Sequence, residues 1–337
     1  MKKRGFIAAF FIGVLAATLF TFIELPYYVT MPGMAQKLSP LVEVENGDKD
    51  EGSFMLTTVR MGKANVITYG FAKVRKYYEI YPAEVVRHDG ETDEEYTFRQ
   101  LHMMEGSKQA AISVAYKRAG KKVSYENRGV YVLGVLPNMP ASQHLQTGDR
   151  ITEIDGIKIE TAEQLIGQIS QKKSGDQVVV KFKRNKEKRK ATLRLQPLPE
   201  SRGRIGIGIS LATDREIITD PGVTIESEEI GGPSAGLMFS LEIYNQLVEE
   251  DITRGYQIAG TGTINENGEV GPIGGISQKV IAADRAGADI FFAPNEKGAK
   301  NSNYREAIKT AKDIGTNMKI IPIDTFDEAL AYLENLK

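Results

Sequence analysis

Cysteine is missing from all 337 residues, which excludes thiol catalysis, cysteine-based metal sites and disulfides. Histidine is nearly missing: only His88, His102 and His144 could serve as imidazole bases, and none belongs to a ligand spacing such as H-E-x-x-H. No metal and no cofactor is expected from this inventory. A G-x-x-x-x-G-K-[ST] phosphate loop is lacking as well, since Gly62-Lys63 and Gly120-Lys121 carry none of its remaining residues and read as turns. No nucleotide partner is expected. Excess charge of either sign is also absent, with 43 Lys and Arg against 44 Asp and Glu, so no global field points to nucleic acid. The basic stretch "KFKRNKEKRK", residues 181–190, lies between two alternating stretches and reads as a solvated hairpin tip.

Long apolar runs are scarce too, with one exception. "MKKRGFIAAFFIGVLAATLFTFIE" starts with Lys2, Lys3 and Arg4 and is then uncharged from Gly5 to Ile23. As a helix this run is about 28 Å long, close to the thickness of a hydrocarbon core. A cleavable signal has a shorter apolar region followed by a small-residue site, whereas Ala16 and Ala17 fall inside the run and Glu24-Leu-Pro-Tyr-Tyr follows it. Residues 1–24 are therefore expected to be a basic start and membrane anchor. The positive-inside bias leaves Lys2 to Arg4 in the cytoplasm and the rest of the chain outside.

Residues 25–121 hold strand-like pieces, "SFMLTTV" and "ANVITYGFAKV", a polar stretch, and a helical pattern "MEGSKQAAISVAYKRAG" with Ala110, Ala111, Val114 and Ala115 near one face. No chemistry is evident in them. From Gly129 the pattern changes to an apolar strand "VYVLGVLP", two short strands around Asp155-Gly156, a helix "TAEQLIGQI" capped by Thr161, and two alternating strands. Pro197 and Pro199 mark a boundary. This order, and above all the stretch Gly148 to Gly156, resembles a PDZ domain of the bacterial protease-associated type over residues 122–198. The resemblance implies capture of an extended peptide at a sheet edge beside a helix. By position the edge is Val130 to Leu133, Arg128 and Gly129 form the carboxylate loop, and Leu165 and Ile169 face the groove. The same apolar residues could instead fill the small domain's core.

"GGPSAG", residues 231–236, puts Ser234 after a proline pre-organised for a helix start and glycines that permit close backbone approach. Such a serine is an ordinary first-turn residue unless a base lies nearby. Downstream, "SQKVIAADRAGA" is a helix with Lys279 in its first turns, where the positive end of the helix dipole disfavours a cation. That field and burial together would lower its pKa and make it a neutral base. Ser240 and Ser277 are weaker nucleophile candidates, being mid-helix and on a turn.

"GGPSAG" followed by "TGTINENGEVGPIGGISQKVIAADRAG" resembles the proteolytic domain of the Lon family over residues 200–337. The matching elements are Gly232-Pro-Ser-Ala-Gly236 and Gly268 to Lys279. The resemblance implies a Ser-Lys dyad, with Ser234 as nucleophile and Lys279 as base, Thr261 hydrogen-bonded to the lysine, and Gly232 and Ala235 in support. Glu229-Ile-Gly-Gly stands where the family has an acid immediately before G-P-S. The tetrahedral oxyanion would draw on backbone N–H groups of Ser234 and Ala235 or of a neighbouring loop. The expected fold class is α+β: a Lon-type proteolytic domain preceded by a PDZ domain and a single N-terminal transmembrane helix. Anchor, PDZ module and Lon-type domain together resemble the membrane-anchored PDZ-containing Lon-family peptidases. That implies ATP-independent cleavage of peptides or small proteins outside the cytoplasm. A non-catalytic PDZ scaffold and a serine esterase using the same dyad are the alternatives.

The topology is testable directly. A reporter fused after Lys337 is expected to be active only outside the cytoplasm, and a cytoplasmic signal would overturn the assignment.

Overall fold

Phe54 and Leu56 pack into one apolar cluster, while Met55 between them packs into another. Successive strand side chains point to opposite faces, so a strand apolar on both sides must be covered on both. The computed structural model describes residues 11, 18, 20–47, 51–88, 90–199, 203–227 and 230–336. Its main elements, in chain order, are β1 (Glu24–Lys37), β2 (Ser53–Asn65), α1 (Val66–Val74), β3 (Glu79–Pro82), α2 (Asp93–Arg118), β4 (Lys122–Val135), β5 (Arg150–Ile154), α3 (Ala162–Ser170), β6 (Gln177–Arg184), β7 (Glu187–Arg194) and β8 (Ile209–Asp220), followed by α4 (Gly236–Leu247), β9 (Gln257–Gly260), α5 (Ile276–Arg285), β10 (Ile290–Pro294), α6 (Asn303–Ile314), β11 (Lys319–Ile323) and α7 (Phe326–Glu334).

The larger sheet runs β11-β10-β9-β2-β1-β3. Strands β2, β9, β10 and β11 are parallel, and β1 returns antiparallel to β2. One face packs against α2, α4 and α7 through residues such as Ala111, Met238 and Leu330. The other packs against α5 and α6 through Val280 and Ala307.

The smaller sheet runs β8-β4-β5-β6-β7, with α3 packed on a core that includes Val132, Ile151 and Leu165. Its turns follow the sequence. Asp155 and Gly156 both have positive φ, 51° and 85°, as a tight hairpin turn between Ile154 and Ile157 requires. The basic stretch forms the β6–β7 hairpin, with exposed side chains at its Asn185-Lys186 turn. Thr161 and Gln164 form a reciprocal capping box on α3. On α7, Thr325 Oγ1 accepts from Glu328 N at 3.1 Å, but the Glu328 carboxylate reaches one residue further back, to Asp324 N at 2.7 Å.

The strand partners group the chain differently from its linear order. Residues 24–65 supply two strands of the same sheet as residues 257–323, so the segment before the PDZ-like region is built into the C-terminal body. The smaller sheet in turn takes its outermost strand, β8, from beyond Pro199. The physical reason is that alternation marks a strand but does not say which distant strand completes its hydrogen bonds. The expected membrane span, residues 5–23, lies for the most part outside the described residues. No helix among the described residues is long and apolar enough to cross a membrane.

Phe54 is fully buried against both early and late segments of the chain. Phe54→Ala is expected to destabilise the C-terminal body by about 3–5 kcal/mol. Urea unfolding followed on that body checks this; an unchanged transition would mean that β2 is not integral to it.

Candidate active site

A sharp backbone turn delivers Ser234. Gly232 has φ +86°, a conformation that L side chains rarely adopt, and α4 begins only at Gly236, two residues after the serine. Helix α2 holds this turn from behind: Gly232 N donates to Gln100 O at 2.9 Å, and Ser107 Oγ donates to Pro233 O at 2.9 Å. Close approach explains Gly236, where an added Cβ would lie 2.7 Å from Ile264 Cγ2 and 2.8 Å from Ser107 Oγ. On the other side the Ser234 carbonyl accepts from Gly262 N at 2.9 Å and from Thr261 Oγ1 at 2.9 Å. Among the described residues, the N–H groups of Ser234 and Ala235 donate to no acceptor.

Lys279 arrives from α5, whose entry residue Gly275 is left-handed at φ +70° and would meet Val59 Cγ1 at 2.6 Å if it bore a Cβ. The side chain is 2 % exposed. Its Nζ lies 2.7 Å from Ser234 Oγ and 2.9 Å from Thr261 Oγ1. No carboxylate pairs with it among the described residues, and Glu229 lies outside them. Burial pushes the amine down from 10.5 to about 7, because a charged ammonium loses its hydration there without gaining an anion. The arrangement therefore holds a hydroxyl and a neutralisable amine 2.7 Å apart, next to backbone donors that are unpaired among the described residues. A neutral amine at that distance can accept the serine proton.

Other candidates have different occupations. Ser240 Oγ donates to Leu237 O at 2.7 Å inside α4, and Ser277 Oγ is engaged by Glu306 at 2.8 Å and Thr310 at 2.7 Å. None of His88, His102 and His144 hydrogen-bonds to Ser234 or Lys279 among the described residues. His102 is instead stacked on Phe98 with ring centroids 6.3 Å apart, and burial lowers its pKa.

The expected peptide groove needs correction. Val130 pairs with Thr213 of β8 on one side and with Ile151 of β5 on the other, so Val130 to Leu133 is an interior strand rather than an edge. Leu165 and Ile169 are buried in the small domain's core alongside Val130, and Leu133 is half-buried. Gly129, at φ +133°, leaves room for Ile151 O, which a Cβ would meet at 2.5 Å, and Arg128 is tied to Asp214 and Glu216. The reason is β8, a strand from outside the expected domain, which covers the edge. Beyond it, Ala162 N of α3 donates to Thr213 Oγ1 at 3.0 Å, so the helix flanks β8. Where the small domain meets α2 lies a cavity of about 830 Å³, bordered by His102, Gln109, Tyr131, Thr213 and Asp214.

Sequence reasoning missed Gln100 and Ser107, which shape the serine turn from a helix in which no chemistry was evident. The available signal was the buried polar set Ser107, Gln109 and Ser113 on an otherwise apolar helix face.

A serine turn and a buried lysine helix thus meet over a mixed sheet, with a six-stranded module inserted in the chain, which defines an α+β architecture of two domains. The family profile described as PDZ domain matches residues 114–195, and that described as Lon protease (S16) C-terminal proteolytic domain matches residues 227–334. Curated relatives include the Lon protease of Campylobacter concisus, 36% identical over 100 residues, which are 29% of this chain and 11% of that protein. The Lon protease of Metamycoplasma arthritidis is 31% identical over 106 residues, 32% of this chain and 12% of that protein. The chain thus spans about one-eighth or less of the length of these relatives. Among solved structures, the PDZ domain of the SdrC-like protein from Listeria monocytogenes is 38% identical, covering 25% of this chain and 87% of that one at a TM-score of 0.24. Residues 114–195 are thus similar to PDZ domains and residues 227–334 to the proteolytic domain of Lon proteases, an order consistent with a PDZ-containing Lon-family peptidase.

The buried amine makes stability depend on pH. Between about 7 and 10.5 the unfolded chain holds a proton on Lys279 that the folded chain has lost, so stability rises with pH across that window. The slope from this group is at most about 1.4 kcal/mol per pH unit and vanishes below the folded value, where both states are protonated. Lys279→Met is expected to remove that slope and to be the more stable protein at neutral pH. Urea unfolding of both proteins at several pH values measures it.

Proposed function

We propose that this chain is an ATP-independent serine endopeptidase, held on a membrane by residues 5–23, that cleaves peptides and small proteins outside the cytoplasm. The observation that carries the reading is the 2.7 Å approach of a buried lysine amine, paired with no carboxylate among the described residues, to Ser234 Oγ. Neutral Lys279 takes the serine proton as Oγ attacks the scissile carbonyl, and the resulting ammonium returns it to the leaving amine. Thr261 Oγ1 fixes the lysine head group while donating to the Ser234 carbonyl, so one hydroxyl aligns both partners. The N–H groups of Ser234 and Ala235, unpaired among the described residues and ahead of α4, supply donors for the oxyanion; losing one such donor typically costs roughly a hundredfold in rate or more. Water then hydrolyses the acyl-enzyme with Lys279 as base again.

Peptide capture is assigned to the PDZ domain, by addition of a strand to the outer edge of β8 beside α3. The membrane assignment rests on the uncharged run from Gly5 to Ile23 behind a basic start. The absence of a phosphate loop from the sequence supports nucleotide independence.

A base and nucleophile that act as one unit have non-additive free energies. Ser234→Ala and Lys279→Ala are each expected to lower peptide cleavage by roughly 10⁴-fold or more, with the double variant no worse than either. Lys279→Arg is expected to be inactive, because a guanidinium stays protonated. Wild-type rate is expected to rise with pH through about 7, where the amine loses its proton. Cleavage assays without nucleotide, with folding checked by circular dichroism, test all of these. Turnover by Lys279→Arg would remove the lysine from the mechanism, and ester hydrolysis without peptide cleavage would point to an esterase.

A further inference from the structure

Helix α1 carries apolar side chains on the side that packing leaves bare. It buries Ala72 and sets Tyr69 against the small cluster around Val29, but Ile67, Phe71 and Val74 are 43%, 44% and 81% exposed. Spacings of four and three residues put these three in one stripe along the helix. Gly70, beside them, borders open space. Exposed Lys73 and Arg75 flank the stripe, and the Arg75 guanidinium lies 4.8 Å from the centroid of the Phe71 ring.

The stripe also has a particular location. Asn65 caps α1 by accepting from Thr68 N at 2.8 Å, and its Nδ2 donates to Thr21 O at 3.2 Å. The same Asn65 is in register with Glu24, the first residue of β1. The helix is thus pinned to the point at which the chain leaves its apolar run, and Phe20, Phe22 and Ile23 are exposed there too.

We propose that α1 is an interfacial helix that seats Ile67, Phe71 and Val74 in the outer leaflet, with Lys73 and Arg75 at anionic lipid headgroups. The proposal rests on the reading that residues 5–23 span a membrane. An apolar stripe flanked by cations suits the headgroup and acyl boundary, where such helices sit about 5–10 Å deep. Three side chains fall well short of the roughly 800 Å² per partner that a standard protein interface buries. Lipid is therefore the better-matched occupant than a second copy of the chain. With one covalent span and a second contact at α1, the catalytic body can no longer swivel freely about its tether. Its height above the bilayer is then set.

The chain contains no tryptophan, so Val74→Trp places a sole indole on the stripe. The full chain is reconstituted into vesicles of phosphatidylglycerol and phosphatidylcholine brominated high on the acyl chain. Flotation of the same samples reports anchoring independently. The Val74→Trp indole is expected to shift to the blue and be quenched, as is that of Ile67→Trp, whereas that of Glu187→Trp, on the exposed β6–β7 hairpin, is expected to stay unquenched. Flotation with unquenched indoles on α1 overturns this proposal and leaves the anchoring reading standing. Failure to float overturns the anchoring reading, and unquenched α1 indoles in that sample overturn this one as well. Self-association in sedimentation that Val74→Asp abolishes, with the indoles unquenched by bromine, would assign the stripe to a second copy instead.

Discussion

An amine buried with no counter-ion among the described residues, that of Lys279, is the constraint on which the surrounding structure depends. Placing Lys279 where, among the described residues, its amine bonds to the hydroxyls of Ser234 and Thr261 alone costs the folded state the hydration of a cation whenever the group is protonated. A nearby carboxylate would relieve that cost but would also hold the amine charged and useless as a base. The surroundings must therefore be polar enough to orient the head group and too apolar to ionise it. Thr261 meets both demands, since its hydroxyl accepts from the amine and passes its own hydrogen to a main-chain carbonyl.

Rigidity around the pair comes from elements far apart in the chain. The serine turn is fastened by Gln100 and Ser107 of α2 on one side and by the Thr261-Gly262 segment on the other. The lysine helix packs on β1 and β2, whose residue Val59 closes on Gly275 at the helix entrance. Removing residues 1–118 would therefore take away three strands of the sheet and the helix that shapes the Ser234 turn. The early segment contributes no reacting group, yet it sets the positions of both.

The small domain is inserted in the chain between α2 and α4. Its outermost strand, β8, ends at Asp220, fourteen residues before Ser234, so one edge of the small domain's sheet lies close in sequence to the turn that carries Ser234. An ion cluster of Arg128 and Arg150 on Asp214 braces the middle of β8.

Local chemistry was legible in the sequence wherever a few adjacent residues determine the backbone. Asp155-Gly156 can make its tight turn, Gly232 its left-handed step, and Thr161 its helix cap without reference to distant parts of the chain. The serine and lysine motifs are of that kind, and so both candidate groups could be named from the sequence. Their 2.7 Å approach, the dryness that brings the lysine to about 7, the service of Gln100 and Ser107, and the loss of Val130 to Leu133 as an edge were decided by tertiary structure. Each depends on which distant strand or helix comes to lie alongside. Period-two and period-3.6 patterns tell which face of an element seeks burial, but any apolar partner satisfies the pattern, and only the folded arrangement of all the elements selects one.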